Sequence, residues 1–222
     1  MTSSAPSSAS SQVEFWFEFG SNCSYLSVMR IEDEARRLGV HISWKPFLLG
    51  PIFRELGMEN SPFVLQKEKG AYVQHDMTRL CRKYGLSPWV KPSVFPRLCV
   101  LPLRIALLAA GQPWIGAFCR KVMELNFALD QEINHPEQMA SVLTELGLPG
   151  SDILQQAHSE PIKARLREQT DEARARGIFG APTFFVATEM FWGNDRLEDA
   201  LLLASELASG TLSAARLSAS RP

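Results

Sequence analysis

The chain has 222 residues, of which 45% are hydrophobic and 21% charged, which is typical of a soluble protein with one well-buried core or two small intertwined domains. Because 23 Lys and Arg residues balance 24 Asp and Glu residues, nothing indicates a nucleic acid or an anionic membrane as partner. The four cysteines Cys23, Cys81, Cys99 and Cys119 lack the spacing of a zinc site or a disulfide framework. We therefore expect free thiols, a reducing compartment and a small molecule as partner.

The two ends of the chain are polar. Residues 1–12 contain no basic residue and no apolar run, which argues against a secretory signal or a transit peptide and predicts a disordered tail. Residues 209–222 are predicted to form a flexible tail in the same way. The longest apolar stretch, residues 98–110, contains Pro102 and Arg104 and is too short to span a bilayer. We expect a cytoplasmic protein without membrane contacts.

The first predicted elements form a β-α-β unit. Three phenylalanines alternate with Glu and Trp over residues 14–19, which predicts a strand, and residues 20–22 supply turn and N-cap residues. Apolar residues at helical spacing predict one helix over residues 24–38, ended by Gly39. Residues 41–48 predict a second strand, which completes a β-α-β unit with parallel strands and a right-handed crossover.

The rest of the chain separates a helical block from a second sheet-forming region. Helical patterns run from residue 50 to about 156, and Pro102 is expected near the start of its helix. A charged helix over residues 161–176 then precedes a hairpin with strands at 183–187 and 190–193, followed by a helix from about 195 to 207. One sheet is therefore split in sequence by a helical insertion. The predicted domains are 13–49 with 158–208 for the sheet, and 50–157 for the insertion.

Three segments carry a resemblance to a known family, namely FEFGSNCSYL at 17–26, FGAPT at 179–183 and FWGNDR at 191–196. With the element order, they resemble the thioredoxin fold with an inserted helical domain. More narrowly, they resemble the DsbA-like branch of kappa-class glutathione transferases and 2-hydroxychromene-2-carboxylate isomerases, with WGNDR favouring the isomerases. The resemblance covers roughly residues 13 to 208. It implies an α/β fold, thioredoxin-like with a large all-helical insertion, glutathione as cofactor, and a homodimer.

The sequence departs from this family at the first helix. The family usually has aspartate where Glu18 lies, proline at Asn22, and often an aromatic residue at Cys23. The helix start therefore loses a rigid proline and gains a thiol beside the expected sulfur site. By resemblance, Asn22 and Cys23 still belong to the glutathione-binding positions.

Ser21 is the predicted catalytic residue. Redox relatives of this fold have cysteines at the first and fourth motif positions, whereas this chain has Ser21 and Ser24, so that pair cannot exchange a disulfide. A serine at a helix N-terminus can donate a hydrogen bond to a bound thiolate and, with the helix dipole, lower the pKa of the thiol. Alternatively, Ser21 only caps the helix, which contributes about 1 kcal/mol. Cys23 is either a second candidate nucleophile or a small buried apolar side chain.

Two further segments are candidate glutathione contacts. The resemblance implies a cis peptide bond between Ala181 and Pro182 that directs the Ala181 N–H and C=O groups toward the cysteinyl backbone of glutathione. Asn194 and Asp195 are good N-caps for the last helix. On the resemblance, the free N–H groups there bind the γ-glutamyl carboxylate and Asp195 binds the ammonium group.

The helical insertion adds candidate contacts for glutathione and for a second substrate. Asn60 and Lys69 match family positions that contact glutathione, with Lys69 near the glycyl carboxylate, although Lys69 also fits a solvated helix face. An aromatic keto acid as second substrate needs a cation and a flat apolar wall. Candidate cations are Lys45, Arg97 and Arg104, and candidate wall residues are Trp44, Tyr84, Trp89 and Phe95. The four histidines are scattered singly, which argues against a metal site or a Ser-His dyad.

The resemblance implies a glutathione-dependent isomerase of aromatic hydrocarbon breakdown. In such an enzyme the thiolate adds reversibly to a conjugated carbon, a bond rotates, and elimination returns glutathione unchanged. Three alternatives remain at this stage. The chain is a kappa-like transferase that consumes glutathione, a thiol oxidoreductase based on Cys23, or a binding module without catalysis.

Overall fold

The computed structural model describes residues 11–211, so most of both predicted tails lies outside the described residues. The strands are β1 (Gln12–Phe17), β2 (His41–Pro46), β3 (Thr183–Val186) and β4 (Glu189–Trp192). The helices are α1 (Asn22–Val28), α2 (Ile31–Leu38), α3 (Leu49–Glu55), α4 (Pro62–Leu65), α5 (Lys67–Tyr84), α6 (Val100–Ala109), α7 (Ile115–Phe127), α8 (Pro136–Glu145), α9 (Gly150–Ala157), α10 (Glu160–Ala175) and α11 (Leu197–Ala208). A single 3-10 turn, Asn194–Arg196, precedes α11.

The four strands form one mixed sheet in the order β2-β1-β3-β4. β1 pairs in parallel with β2 and antiparallel with β3, which forms a hairpin with β4. The aromatic side chains of β1 hold the sheet core together, because the Phe15 ring stacks on Phe17 and Phe184 at centroid distances of 5.0 and 5.3 Å. The predicted thioredoxin-like fold, the β-α-β unit and the final hairpin are confirmed.

The single helix predicted over residues 24–38 is wrong, because the chain breaks between α1 and α2 at Met29 and Arg30. The Arg30 side chain turns back, and its Nε donates to the Leu26 carbonyl at 3.2 Å. Apolar residues continue at helical spacing through the break, so the sequence pattern does not mark it. Gly39, at φ 66°, ends α2 in the left-handed conformation as predicted.

The helical insertion packs against the end of β1. Every regular element between β2 and β3 is a helix, as predicted for the insertion. Pro102 lies in the first turn of α6 as expected. The Asn126 side-chain amide on α7 donates to the Phe19 carbonyl at 2.9 Å, and the Phe118 ring contacts Phe19 edge-on. These contacts fix the insertion beside the β1–α1 junction. Between residues 11 and 211, no helix is both long enough and apolar enough to cross a membrane.

Candidate functional site

The β1–α1 junction and the segment before β3 meet at Ser21. Ser21 is the N-cap of α1, and its Oγ accepts a hydrogen bond from the Ser24 N–H at 3.1 Å. The same hydroxyl donates to the Ala181 carbonyl oxygen at 2.9 Å. The Ala181–Pro182 peptide bond is cis, as the resemblance implied. Ser21 and Ala181, 160 positions apart in sequence, are therefore in direct contact.

The loop before Ala181 approaches the Trp192 side chain closely at Gly180, so a larger residue there would require the indole ring to move. A Cβ on Gly180 would lie 2.3 Å from Nε1 of Trp192, closer than two such atoms can approach. The Trp192 ring also packs on Phe179 with a centroid distance of 4.8 Å. This aromatic pair therefore packs beside the loop that leads to Ala181.

A cavity of about 680 Å³ lies at this junction. It is lined by the Ser21 turn, by α3 and α4 of the insertion, by the segment before α6, and by the loop around Ala181. Most lining side chains are apolar, which suits an organic ligand. The charged lining residues are Glu18, Arg54, Glu59 and Arg97.

Several residues predicted to bind glutathione do line this cavity, namely Ser21, Asn22, Cys23, Asn60 and Ala181. Asn22 is 2% exposed, and its Nδ2 is buried without a hydrogen-bond partner among the described residues. Asn60 is exposed at the rim, where its Oδ1 accepts from the Ser61 N–H at 2.8 Å. Lys69 lies on the exposed face of α5 and does not line the cavity, so its contact with glutathione stays a prediction.

The prediction that Asn194 or Asp195 caps the last helix is wrong, because both lie in the 3-10 turn before α11, whose N-cap is Arg196. Asn194 is 6% exposed, and its Oδ1 accepts hydrogen bonds from Ser27 Oγ at 3.3 Å and Arg30 Nη2 at 3.1 Å. Asp195 is exposed and forms an ion pair with Arg196 at 3.2 Å. Neither residue is part of the cavity wall, although the adjacent Gly193 is. The Asn194 side chain serves the fold, and binding of a γ-glutamyl group here stays a prediction.

The three predicted substrate cations are not available in the cavity. Arg97 lines it but is only 6% exposed, and its guanidinium binds Asn126 at 3.0 Å together with Asp130. Lys45 lies over the Trp16 ring, and Arg104 belongs to α6 outside the cavity wall. Among the predicted aromatic wall residues Trp44, Tyr84, Trp89 and Phe95, the cavity wall includes Phe95 alone.

Arg54 is the cation that sequence reasoning missed. It lies on α3, is exposed, lines the cavity, and forms no ion pair with the carboxylates of residues 11–211. Its neighbour Glu55 instead pairs with Arg174. In the sequence, Arg54 looks like any charged residue of a short surface helix, and only the fold of the insertion turns it toward the cavity.

Burial decides the protonation of Cys23. Removal of water from around this half-buried thiol raises its pKa to about 11. The nearby negative charges of Asp195 and Asp76 also raise this pKa. At neutral pH the thiol is therefore protonated and a poor nucleophile. This counts against an oxidoreductase based on Cys23. Cys81, Cys99 and Cys119 are buried, as predicted.

Glu18 is the second residue that sequence reasoning missed. Glu18 lines the cavity, and burial raises the pKa of its carboxyl group to about 7. Hydrogen bonds from the Leu49 N–H at 3.0 Å and from the Cys99 thiol lower this pKa but only in part. A signal was present in the sequence, since Glu18 is an ionisable residue between the apolar residues Phe17 and Phe19, inside the motif segment 17–26.

Comparison with known proteins agrees with the fold. The family model of the DsbA-like thioredoxin domain matches residues 12–204. The 2-hydroxychromene-2-carboxylate isomerase of Sphingobium xenophagum is 29% identical over 196 residues, which cover 84% of this chain and 94% of that protein. Glutathione S-transferase kappa 2 of Caenorhabditis elegans is 27% identical over 202 residues, covering 83% of this chain and 88% of that protein.

A solved structure of a 2-hydroxychromene-2-carboxylate isomerase extends the match to three dimensions. It has a TM-score of 0.77 and 27% sequence identity, and the match covers 95% of this chain and 100% of that chain. The family match spans both halves of the sheet and the insertion between them. The chain therefore belongs to the DsbA-like thioredoxin family.

Proposed function

We propose that this protein is a glutathione-dependent isomerase of small aromatic keto acids, similar in activity to 2-hydroxychromene-2-carboxylate isomerases. The observation that carries the proposal is the Ser21 hydroxyl, which lies at the N-terminus of α1, in a mostly apolar cavity and beside the Ala181 backbone. The relatives with this activity support it, since they match most of the chain.

The residues of the cavity fit glutathione. Asn22 Nδ2 is a buried donor without a partner, which a ligand carbonyl or carboxylate can satisfy. The Ala181 carbonyl is an acceptor for a ligand N–H once Ser21 turns away. Bound glutathione supplies a thiolate that can add to, and later leave, a conjugated carbon of the substrate. Such catalysis requires neither Cys23 nor a disulfide.

Ser21 has one proton to donate and two acceptors to choose between. In the structure the hydroxyl donates to the Ala181 carbonyl and accepts from the Ser24 N–H. A thiolate is the stronger acceptor because its charge strengthens the bond, so we expect the hydroxyl to rotate toward the sulfur. The Ser24 N–H stays on Ser21 Oγ and polarises the hydroxyl as a donor. The helix dipole acts in the same direction.

Arg54 and the aromatic wall suit the second substrate. The carboxylate of a keto acid can pair with the Arg54 guanidinium, which is not neutralised by a carboxylate of the described residues. The ring can lie against Phe95 or the Phe179–Trp192 pair. The site thus combines one cation with flat apolar surfaces.

The test is an ultraviolet titration of the purified protein with glutathione at neutral pH, in which the thiolate absorption band is measured. We expect the band in the wild type, and its loss or shift to higher pH in Ser21→Ala. The absence of both a band and thermal stabilisation in the wild type would refute the proposal.

The kappa-class relative favours a second candidate function, the conjugation of glutathione to an electrophile. The two activities differ in stoichiometry, because an isomerase returns glutathione and a transferase converts it into a thioether. Free thiol is therefore measured during turnover of isomerisable aromatic keto acids. A constant thiol concentration supports the isomerase, and a loss equal to the product formed supports the transferase.

A further inference from the structure

Glu18 and Ser21 are the two ends of one tight turn. The Ser21 N–H donates to the Glu18 backbone carbonyl at 3.2 Å, and both residues line the cavity. The Glu18 carboxyl group folds back against this turn, since its Oε2 would lie 3.6 Å from a Cβ placed on Gly20. The carboxyl group therefore lies next to the helix start where the sulfur of the proposed ligand is expected.

Among the described residues, the Glu18 carboxyl group accepts hydrogen bonds but forms no ion pair. Its Oε1 accepts from the Leu49 N–H of α3, and the Cys99 thiol before α6 also donates to it. The ionisable neighbours facing the same cavity are Cys23 from α1, Arg54 from α3, Glu59 before α4, and Arg97. Glu18 forms an ion pair with no cation of residues 11–211, and the Arg97 guanidinium is occupied by Asp130. Burial, rather than a charged partner, thus sets its affinity for a proton.

We propose that the Glu18 carboxylate accepts the proton that the glutathione thiol loses on binding beside Ser21. This inference rests on the proposed function. In the transfer the S–H bond breaks and an O–H bond forms on Glu18, while the negative charge moves from the carboxylate to the sulfur. The net charge of the cavity is unchanged, so the site does not have to hold two buried anions at once.

The proton affinities of the two partners fit such a transfer. Burial raises the pKa of Glu18 to about 7, so the carboxyl group is mostly ionised slightly above neutral pH. A thiol near a helix N-terminus has its pKa lowered from about 8.5 toward the same range. Transfer between groups of similar pKa has a small free-energy cost in either direction. Glu18 can therefore take the proton on binding and return it on release.

The experiment counts protons released when glutathione binds. Calorimetric titrations near pH 8, in buffers of different ionisation enthalpy, give this number independently of turnover, and the thiolate band is recorded on the same samples. For the wild type we expect the band with almost no proton released, because the negative charge of the bound thiolate raises the pKa of the neighbouring Glu18 further and the proton stays on its carboxyl group. Glu18→Gln keeps an oxygen for the Leu49 N–H, cannot take a proton, and should release about one proton for each thiolate formed.

A matched control is Glu59→Gln, which removes the same charge from an exposed position in the same cavity wall. This variant should release almost no proton, like the wild type. Near pH 6, where Glu18 is already mostly protonated, the wild type should itself release about one proton per thiolate.

A wild-type protein that forms the thiolate near pH 8 and releases a full proton would overturn the inference. The absence of both the thiolate band and thermal stabilisation in the wild type would instead refute the proposed function, whereas stabilisation without the band would overturn the inference, because the thiol then loses no proton. If Glu18→Gln does not fold, infrared difference spectra of the wild type decide the matter. Glutathione binding should produce the carbonyl band of a protonated carboxyl group, and a spectrum without this band would contradict the role of Glu18.

Discussion

Ser21 at the start of α1 and Asn194 in the 3-10 turn before α11 are both polar residues of a type that often caps helices, but their surroundings differ. Ser21, Asn22 and Ala181 line the cavity, and the buried Asn22 amide nitrogen has no hydrogen-bond partner among the described residues. At Asn194, the space is filled by Ser27 and Arg30 from the first helices of the same chain. We call the first region the open site. The second, formed by Ser27, Arg30, Asn194 and Glu198, is the Arg30 cluster.

In the Arg30 cluster, the polar groups are paired with one another. The Arg30 guanidinium binds Asn194 and Glu198, at 3.1 and 2.6 Å, and its carbon lies 3.7 Å from the centre of the Tyr84 ring. A residue type suited to ligand binding therefore becomes structural when neighbours satisfy its hydrogen bonds. Substitutions in the open site should change ligand binding and catalysis, whereas those in the cluster should change stability.

The largest effect is expected for Ser21→Ala in the open site. Loss of a preorganised donor to a reacting anion typically reduces kcat about 100-fold to 1,000-fold. The accompanying loss of the helix cap should cost only about 1 kcal/mol of unfolding free energy. Ser61→Ala is the matched control, because Ser61 caps α4 through the Phe63 N–H. Equal losses of kcat in both variants would show that capping, rather than thiolate binding, explains the role of Ser21.

Glu18, in the open site, should make the unfolding free energy of the protein depend on pH. The pKa of its carboxyl group is about 7 in the folded protein and ordinarily 4.5, so the folded state retains a proton that the unfolded state releases. This contribution is complete below about pH 4.5 and is lost as the pH rises through 7. The difference of 2.5 pKa units, 7 − 4.5, limits the effect to about 3 kcal/mol, and access to cavity water reduces it.

Urea unfolding of Glu18→Gln and wild type across this range measures the effect. The variant should be more stable than the wild type near pH 8, and the two should converge below about pH 5. A constant difference between them at every pH would show that Glu18 does not titrate near neutrality.

The Arg30 cluster is tested by Asn194→Ala. The substitution leaves the Ser27 hydroxyl and one Arg30 nitrogen without their shared acceptor, which should cost about 2 kcal/mol of unfolding free energy. Urea unfolding measures this loss. The glutathione thiolate band should remain, because the Asn194 side chain is absent from the cavity wall. Loss of the band without loss of stability would instead place the Asn194 side chain in the binding site.

The sequence predicted the features that depend on neighbouring residues. The alternation in β1 and the cap at Ser21 are local patterns, and both agree with the structure. The roles of Arg97 and Arg54 were not predictable in this way. Arg97 is neutralised by a residue 33 positions away, and Arg54 faces the cavity only because α3 folds over it. A charged residue shows its type in the sequence, but its partners are known only from the fold.

Arg54→Gln tests whether the open site recognises a carboxylate. A partly solvated ion pair is worth up to about 1 kcal/mol, so KM for an aromatic keto acid should rise roughly fivefold with little change in kcat. Lys45→Gln is the matched control, because it removes the same charge from a residue outside the cavity wall. A higher KM for Lys45→Gln, but not for Arg54→Gln, would favour the cation expected from the sequence.

Cys23→Ser should have the smallest effect, although Cys23 lies in the first turn of the same helix as Ser21. With its pKa raised to about 11, only about one thiol in 10,000 is ionised at neutral pH. We expect kcat and the glutathione thiolate band to change less than about twofold, because the thiolate comes from the ligand. The rate of Cys23 alkylation, measured as the difference between wild type and Cys23→Ser, should rise about tenfold per pH unit up to about 11. Fast alkylation at pH 7, together with loss of turnover in Cys23→Ser, would mean that Cys23 rather than Ser21 makes this helix start reactive.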